Sequence, residues 1–124
     1  MIVDTSYVLD LLDADRAAFE KGQRLTDGNT PLKVPTMTIV ELFVGYGATE
    51  NEDEARQVEN AIRGHPVVPL DEHVARKAGW IAGRLGLDYG DAVIGATAAR
   101  HDEPVLTANV ADFERIDGVA VETY

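Results

Sequence analysis

The sequence predicts an α/β fold, a parallel sheet covered by helices on both faces. Short apolar runs such as Ile2-Val3, Val67-Val68 and Val105-Leu106-Thr107 read as strands buried on both sides. Longer stretches with helical periodicity alternate with them, as a parallel sheet with crossover helices requires. At 124 residues and without cysteine, the chain fits one domain, 1–124, with a core that needs no disulfide or thiolate-bound metal.

Ile2-Val3 is the first strand and runs into a helix start at Asp4-Thr5-Ser6. Helices are expected at Tyr7 to Leu12 and Asp15 to Leu25. Lys33-Val34-Pro35 is a short strand; Pro35 cannot donate to a ladder, which places it at an edge or a strand end. Ile39 to Tyr46 is a helix with almost no polar residue, and Glu52 to Arg63 a polar-faced one closed by Gly64 and Pro66. After the strand Val67-Val68, Asp71 to Leu85 repeats Val74, Ala78, Ile81, Ala82 and Leu85 at helical spacing. Asp91 to Arg100 is a small-residue helix, Val105 to Thr107 a strand, Val110 to Arg115 a short helix and Val119 to Val121 a last strand. In such sheets ligands bind at the carboxyl ends of the strands, just where Asp4 and Asn109 fall.

The charge balance is unusual: 22 acids against 11 bases, a net of −11, with only three of the bases lysine. Alone it argues against a polyanion partner. An acid-rich, lysine-poor surface suits a halophilic protein, because at about 1 M salt the Debye length is ~3 Å and net repulsion is screened. The start Met1-Ile2-Val3-Asp4 has neither a basic segment nor a long apolar run, so neither signal peptide nor membrane anchor is expected. Lack of cysteine fits a reducing cytoplasm.

Four acids stand in apolar surroundings. Glu41 is flanked by Ile39, Val40, Leu42, Phe43 and Val44, and is expected to be partly buried. A buried carboxylate needs a partner, and a cation would serve. Thr38-Ile39-Val40-Glu41 equally spells a capping box. Asp91 opens a helix without a polar face, as a pocket acid or as a first-turn residue after Gly90. Asp4 can cap the helix that follows it, and Asn109-Val110-Ala111-Asp112 can form its own cap. Together, acids at the mouths of separate elements supply hard oxygen ligands suited to Mg2+ or Mn2+. His65, His73 and His101 have no ligand spacing and read as surface or capping residues.

Four blocks in order resemble the PIN-domain family: Ile2-Val3-Asp4-Thr5-Ser6; Val40-Glu41-Leu42 with Gly45; Gly90-Asp91-Ala92-Val93-Ile94-Gly95-Ala96-Thr97-Ala98; and Leu106-Thr107-Ala108-Asn109-Val110-Ala111-Asp112-Phe113. The size is similar to that of the VapC toxins of toxin–antitoxin pairs. The resemblance implies a three-layer fold with a four- or five-stranded parallel sheet and Mg2+- or Mn2+-dependent endoribonuclease activity. Asp4, Glu41 and Asp91 match the acidic, metal-binding triad. Asn109 stands where an aspartate is common, so Asp112 is expected to supply a fourth catalytic carboxylate. Ser6 and Thr107, with Asn109, match supporting polar positions. The implied partners are RNA, a VapB-type antitoxin that covers the acidic mouth with a basic side chain, and a second copy in a homodimer. Phe43, Tyr46 and Trp80 exceed what so small a core needs, although Trp80 is itself assigned to the core. Arg76, Lys77, Arg84 and Arg100 are candidates for gripping RNA, against the ordinary reading of a solvated helix face.

Other strand-ending aspartates fit less well. An aspartyl phosphatase wants an acid two residues on, where Ser6 stands, and a receiver domain needs a late lysine, whereas none follows Lys77. The remaining alternative is a PIN-like module that binds RNA or protein without cutting.

Overall fold

In the computed structural model, which describes all 124 residues, strands and helices alternate along the chain. The strands are β1 (Ile2–Val3), β2 (Val34–Pro35), β3 (Val67–Val68), β4 (Val105–Leu106) and β5 (Val121–Glu122). The helices are α1 (Thr5–Leu12), α2 (Arg16–Asp27), α3 (Thr36–Thr49), α4 (Glu52–Ile62), α5 (Glu72–Leu85), α6 (Tyr89–His101) and α7 (Val110–Glu114). Every strand pair is parallel. The strands group as three, in the order β1-β4-β5, and two, β2-β3. Lys33 joins the groups: Val3 N–H donates to its carbonyl at 3.0 Å, and its own N–H donates to Met1 O at 2.8 Å.

Consecutive strand residues point to opposite faces, and the core divides accordingly. Ile2 and Val105 pack with Val74, Ala78, Ile81, Ile94 and Phe113 on the side of α5, α6 and α7. Val3 and Leu106 pack with Tyr7, Val8, Leu42 and Val58 on the side of α1, α3 and α4. This is the three-layer α/β arrangement expected from the alternating pattern.

Helices α2 and α5 begin one residue after their expected first residues, Asp15 and Asp71, which cap them, whereas α6 is capped by Asp88, ahead of the expected Asp91. Asp15 accepts from Ala18 N–H, Asp71 from Val74 N–H and Asp88 from Gly90 N–H. Thus α6 begins at Tyr89, and Asp91 lies within its first turn without capping it. Helix α3 begins three residues before Ile39, directly after Pro35, whose fixed φ of −64° suits a helix entry. Thr38 is therefore inside the helix and donates to Val3 O at 3.1 Å, so the capping box at Glu41 does not form. The last strand is displaced to Val121–Glu122, where Lys21 pairs with Glu122 at 2.8 Å and Tyr124 OH donates to Asp10.

Helix α3 is not enclosed on all sides. Val40 and Val44 are exposed, and only Thr38 and Leu42 are fully buried. Trp80 is also exposed, 67 % accessible, which corrects its assignment to the core. The buried stripe of α5 is Val74, Ala78, Ile81 and Ala82; Trp80 lies off it, with the Arg84 guanidinium 5.7 Å from its ring.

Candidate functional site

Register brings the first two site residues together. Ile2 lies beside Val105 and Val3 beside Leu106, so the next residues, Asp4 and Thr107, leave the sheet side by side. Asp4 N–H donates to Leu106 O at 3.0 Å. The Asp4 side chain is only 4 % accessible. Its Oδ2 accepts from Ser6 Oγ at 2.8 Å and from Thr107 Oγ1 at 2.7 Å. Although Asp4 occupies the N-cap position of α1, its side chain caps nothing. A buried charge costs several kcal/mol unless it is hydrogen-bonded, and these hydroxyls stabilise it through one oxygen only. Ser6 Oγ also accepts from Ala108 N–H, and Thr107 Oγ1 from Asn109 N–H, so one hydroxyl pair ties Asp4 to the loop after β4.

Glu41 comes from the second turn of α3, half-buried beside α6. Thr5 Oγ1 donates to its Oε1 at 2.8 Å. Burial raises the Glu41 pKa, the Thr5 hydrogen bond opposes that, and Asp4 and Asp88 raise it further. Asp91 is pushed up to about 6, first by burial and then by Asp4, Asp88, Asp112 and Glu41. None of the ion pairs of the fold involves these five carboxylates.

Asn109 completes the group. It holds the N-cap position of α7, yet its side chain makes no capping bond. Its Nδ2 instead donates to Asp112 Oδ2 at 2.9 Å and reaches Asp91 Oδ2 at 3.4 Å. The expected cap built by Asn109 and Asp112 is therefore replaced by a link between two carboxylates.

Asp4, Glu41, Asp91, Asn109, Asp112, Ser6 and Thr107 thus gather at the carboxyl ends of β1 and β4 and the adjoining helix turns. The carboxylates face one another, but no three of them are arranged to hold a metal ion as they stand. Their chemistry nonetheless fits a hard divalent cation: every donor is oxygen, the charge is uncompensated, and Asp4 retains an oxygen that accepts no hydrogen bond. None of the candidate RNA-gripping residues forms an ion pair with this group. Arg76 pairs with Glu72 and Arg84 lies over Trp80, while Lys77 and Arg100 are exposed.

Three contributors were not singled out from sequence. Thr5 fixes Glu41; Asp88 caps α6 and adds charge; Gly90 permits both acids to approach its backbone. Asp88, two residues before Gly90, has the spacing of a cap, which was the available signal.

Residues 1–119 match the family model described as PIN domain. No curated relative matches the chain. Among solved structures, the chain is similar to VapBC2 from Rickettsia felis bound to promoter DNA, with a TM-score of 0.84, 14% identity, and 99% of this chain and 97% of that one covered. It is similar to DNA-bound VapBC from Salmonella typhimurium, with a TM-score of 0.80, 25% identity and coverage of 98% and 96%. It also resembles a toxin–antitoxin complex from Klebsiella pneumoniae, with a TM-score of 0.71, 25% identity and coverage of 96% and 94%.

Proposed function

The chain belongs to the PIN domain family, and from that premise we propose that it is a divalent-metal-dependent endoribonuclease, the toxin of a VapBC-type toxin–antitoxin pair. The observation that carries this reading is the gathering of Asp4, Glu41 and Asp91 at the strand ends with no cationic side chain to offset them. The similarity to VapBC and toxin–antitoxin complexes supports it.

Asp4, Glu41 and Asp91 would hold the cation. Bound there, Mg2+ or Mn2+ would supply positive charge to the scissile phosphate and acidify a water for in-line attack. The chain's own residues prepare that chemistry. Ser6 and Thr107 fix Asp4 through Oδ2 and leave Oδ1 for binding. Thr5 fixes Glu41 through Oε1. Burial and the neighbouring acids push the Asp91 carboxyl up to about 6, so mild acid removes charge from the site. In the proposed hydrolysis the water oxygen would bond to phosphorus as the P–O bond to the leaving nucleotide breaks, and the hydrogen that the water gives up would end on the leaving oxygen. No side chain acts as the nucleophile.

The partners follow from the same surface. A VapB-type antitoxin would insert a basic side chain among the carboxylates. A second copy would cover apolar side chains that are exposed in the single chain, among them Trp80 on α5 and Val40 and Val44 on α3. No helix is long and apolar enough to cross a membrane; a cytoplasmic setting, in salt high enough to screen the net charge of −11, suits this reading.

Two points favour a second reading, a PIN-like module that binds RNA or protein without cutting: Asn109 stands where the resemblance implies an aspartate is common, and the carboxylates are too loosely arranged to hold a metal as they stand. End-labelled RNA incubated with the purified chain, with Mg2+, with Mn2+ and with EDTA, separates the two. Cleavage that needs the divalent ion is expected; binding without cleavage in either ion would establish the module instead.

A further inference from the structure

Asn109 is held at three points, and each faces the carboxylate group. Its backbone N–H donates to Thr107 Oγ1 at 2.8 Å, the hydroxyl that itself donates to Asp4. Its side-chain Nδ2 donates to Asp112 at 2.9 Å and reaches Asp91 at 3.4 Å. An asparagine at a helix N-cap ordinarily turns its oxygen toward the helix N–H groups, a bond worth about 1 kcal/mol. Here that bond is absent, and the nitrogen end is turned to the acids.

The chemistry of the amide decides what this arrangement does. A side-chain NH2 has hydrogens to give and no available lone pair, so it satisfies carboxylate oxygens without ligating a cation. An aspartate at the same place would present oxygens to Asp112 at hydrogen-bond distance, and two carboxylates that close repel unless a cation lies between them. Asn109 therefore occupies with donors the space in which an additional cation would otherwise be drawn.

We infer that Asn109 is a positioning residue that limits the site to a single divalent cation, by holding Asp112 through a hydrogen bond and keeping it from ligating beside Asp4, Glu41 and Asp91. The inference rests on the reading of the site as a cation centre. Asp112 then acts on the site as a nearby negative charge, without direct contact to the ion.

Mn2+ binding to the full chain, followed by the electron paramagnetic resonance signal of free Mn2+ at fixed ionic strength, tests this without reference to activity. Wild type should take up one equivalent and Asn109→Asp two. Asp112→Asn, close to isosteric and independent of how well Asn109→Asp folds, should keep one equivalent with a Kd within twofold of wild type. Two equivalents in wild type, one in a folded Asn109→Asp, or a tenfold or greater loss of affinity in Asp112→Asn would each overturn the role of Asn109 while leaving the cation centre in place. No uptake by wild type would overturn the inference together with the reading beneath it.

Discussion

Glu41 and Gly90 meet at a distance that leaves no room for a side chain: a β-carbon at residue 90 would stand 2.7 Å from Glu41 Oε2. The obstructing atoms are the far end of a flexible side chain, so the helix can absorb a methyl group by displacing Glu41. Gly90→Ala should therefore melt within a few degrees of wild type, since alanine is also the better helix former by about 1 kcal/mol. RNA cleavage should nonetheless fall at least tenfold, because a displacement of about 1 Å in a reacting group costs on the order of 100-fold. Parallel melting curves and single-turnover rates check this; unchanged cleavage would mean that Glu41 need not stay where it is.

Gly95 supplies the contrasting case. A β-carbon there would lie 2.4 Å from Ile116 Cδ1, inside the packed contact between α6 and the segment after α7. Gly95→Ala should cost about 1–3 kcal/mol, the usual range for overpacking. The loss should appear in denaturant midpoints, whereas the metal affinity of the folded fraction should not change.

Asp91 makes metal-free stability depend on pH. Its carboxyl is held at about 6, against 3.8 ordinarily. Between these values the folded chain binds more proton than the unfolded one, so stability falls as pH rises. The contribution is full below about pH 4 and lost as pH passes through 6. Asp91→Asn should remove that decline. In EDTA at pH 7 the variant should melt at or above wild type, and the difference should shrink toward pH 4. Mn2+ should raise the melting temperature of wild type far more than that of the variant. A variant several degrees less stable in EDTA at pH 7 would make Asp91 a structural residue of the first turn.

Thr5 tunes Glu41. Its hydroxyl donates to Oε1 and favours the charged carboxylate. In Thr5→Val the donor is lost at similar volume, so Glu41 should titrate higher and the acidic limb of the pH–rate profile should move to higher pH. The stability cost should stay near 1 kcal/mol, the ordinary value of one hydrogen bond. An unmoved acidic limb would remove Thr5 from the site.

Trp80 tests the dimer. Because the ring is outside the core, Trp80→Glu should leave circular dichroism unchanged and convert a sedimenting dimer to monomer. If wild type already sediments as a monomer at high concentration in strong salt, the proposed dimer does not exist.

The first four strand positions were legible because each is a brief apolar run closed by turn or capping residues, and Asp4 and Asn109 could be placed at strand ends from that alone; β5 was not, since it pairs through Glu122 beyond the apolar run. The division of five strands into three and two was not, since it depends on single backbone bonds at Lys33. Glu41 was correctly expected to be half-buried, but for the wrong physical reason: α3 exposes Val40 and Val44, and Glu41 is sheltered by Gly90 and its neighbours on α6. Thr38 had the spacing of a cap, yet it lies inside α3 because Pro35 starts the helix earlier. Trp80 precedes the buried Ile81 directly in sequence, yet one helical step of 100° separates that buried position from an exposed one. The turn of Asn109 toward two acids is a tertiary choice between a local cap and a distant partner, which spacing does not encode.

The bond between Thr107 and Asp4 joins residues 103 positions apart, Lys21 and Glu122 are 101 apart, and Tyr124 closes on Asp10 across 114. Contacts of such long sequence separation form late and slowly, after the loop between them has closed. Asp4 is seated by a hydroxyl 103 residues further along the chain, so β1 and α1 alone cannot place it. The acidic mouth therefore assembles only once β1 has closed on β4, and a partly folded chain has Asp4 without its two hydroxyl donors in place.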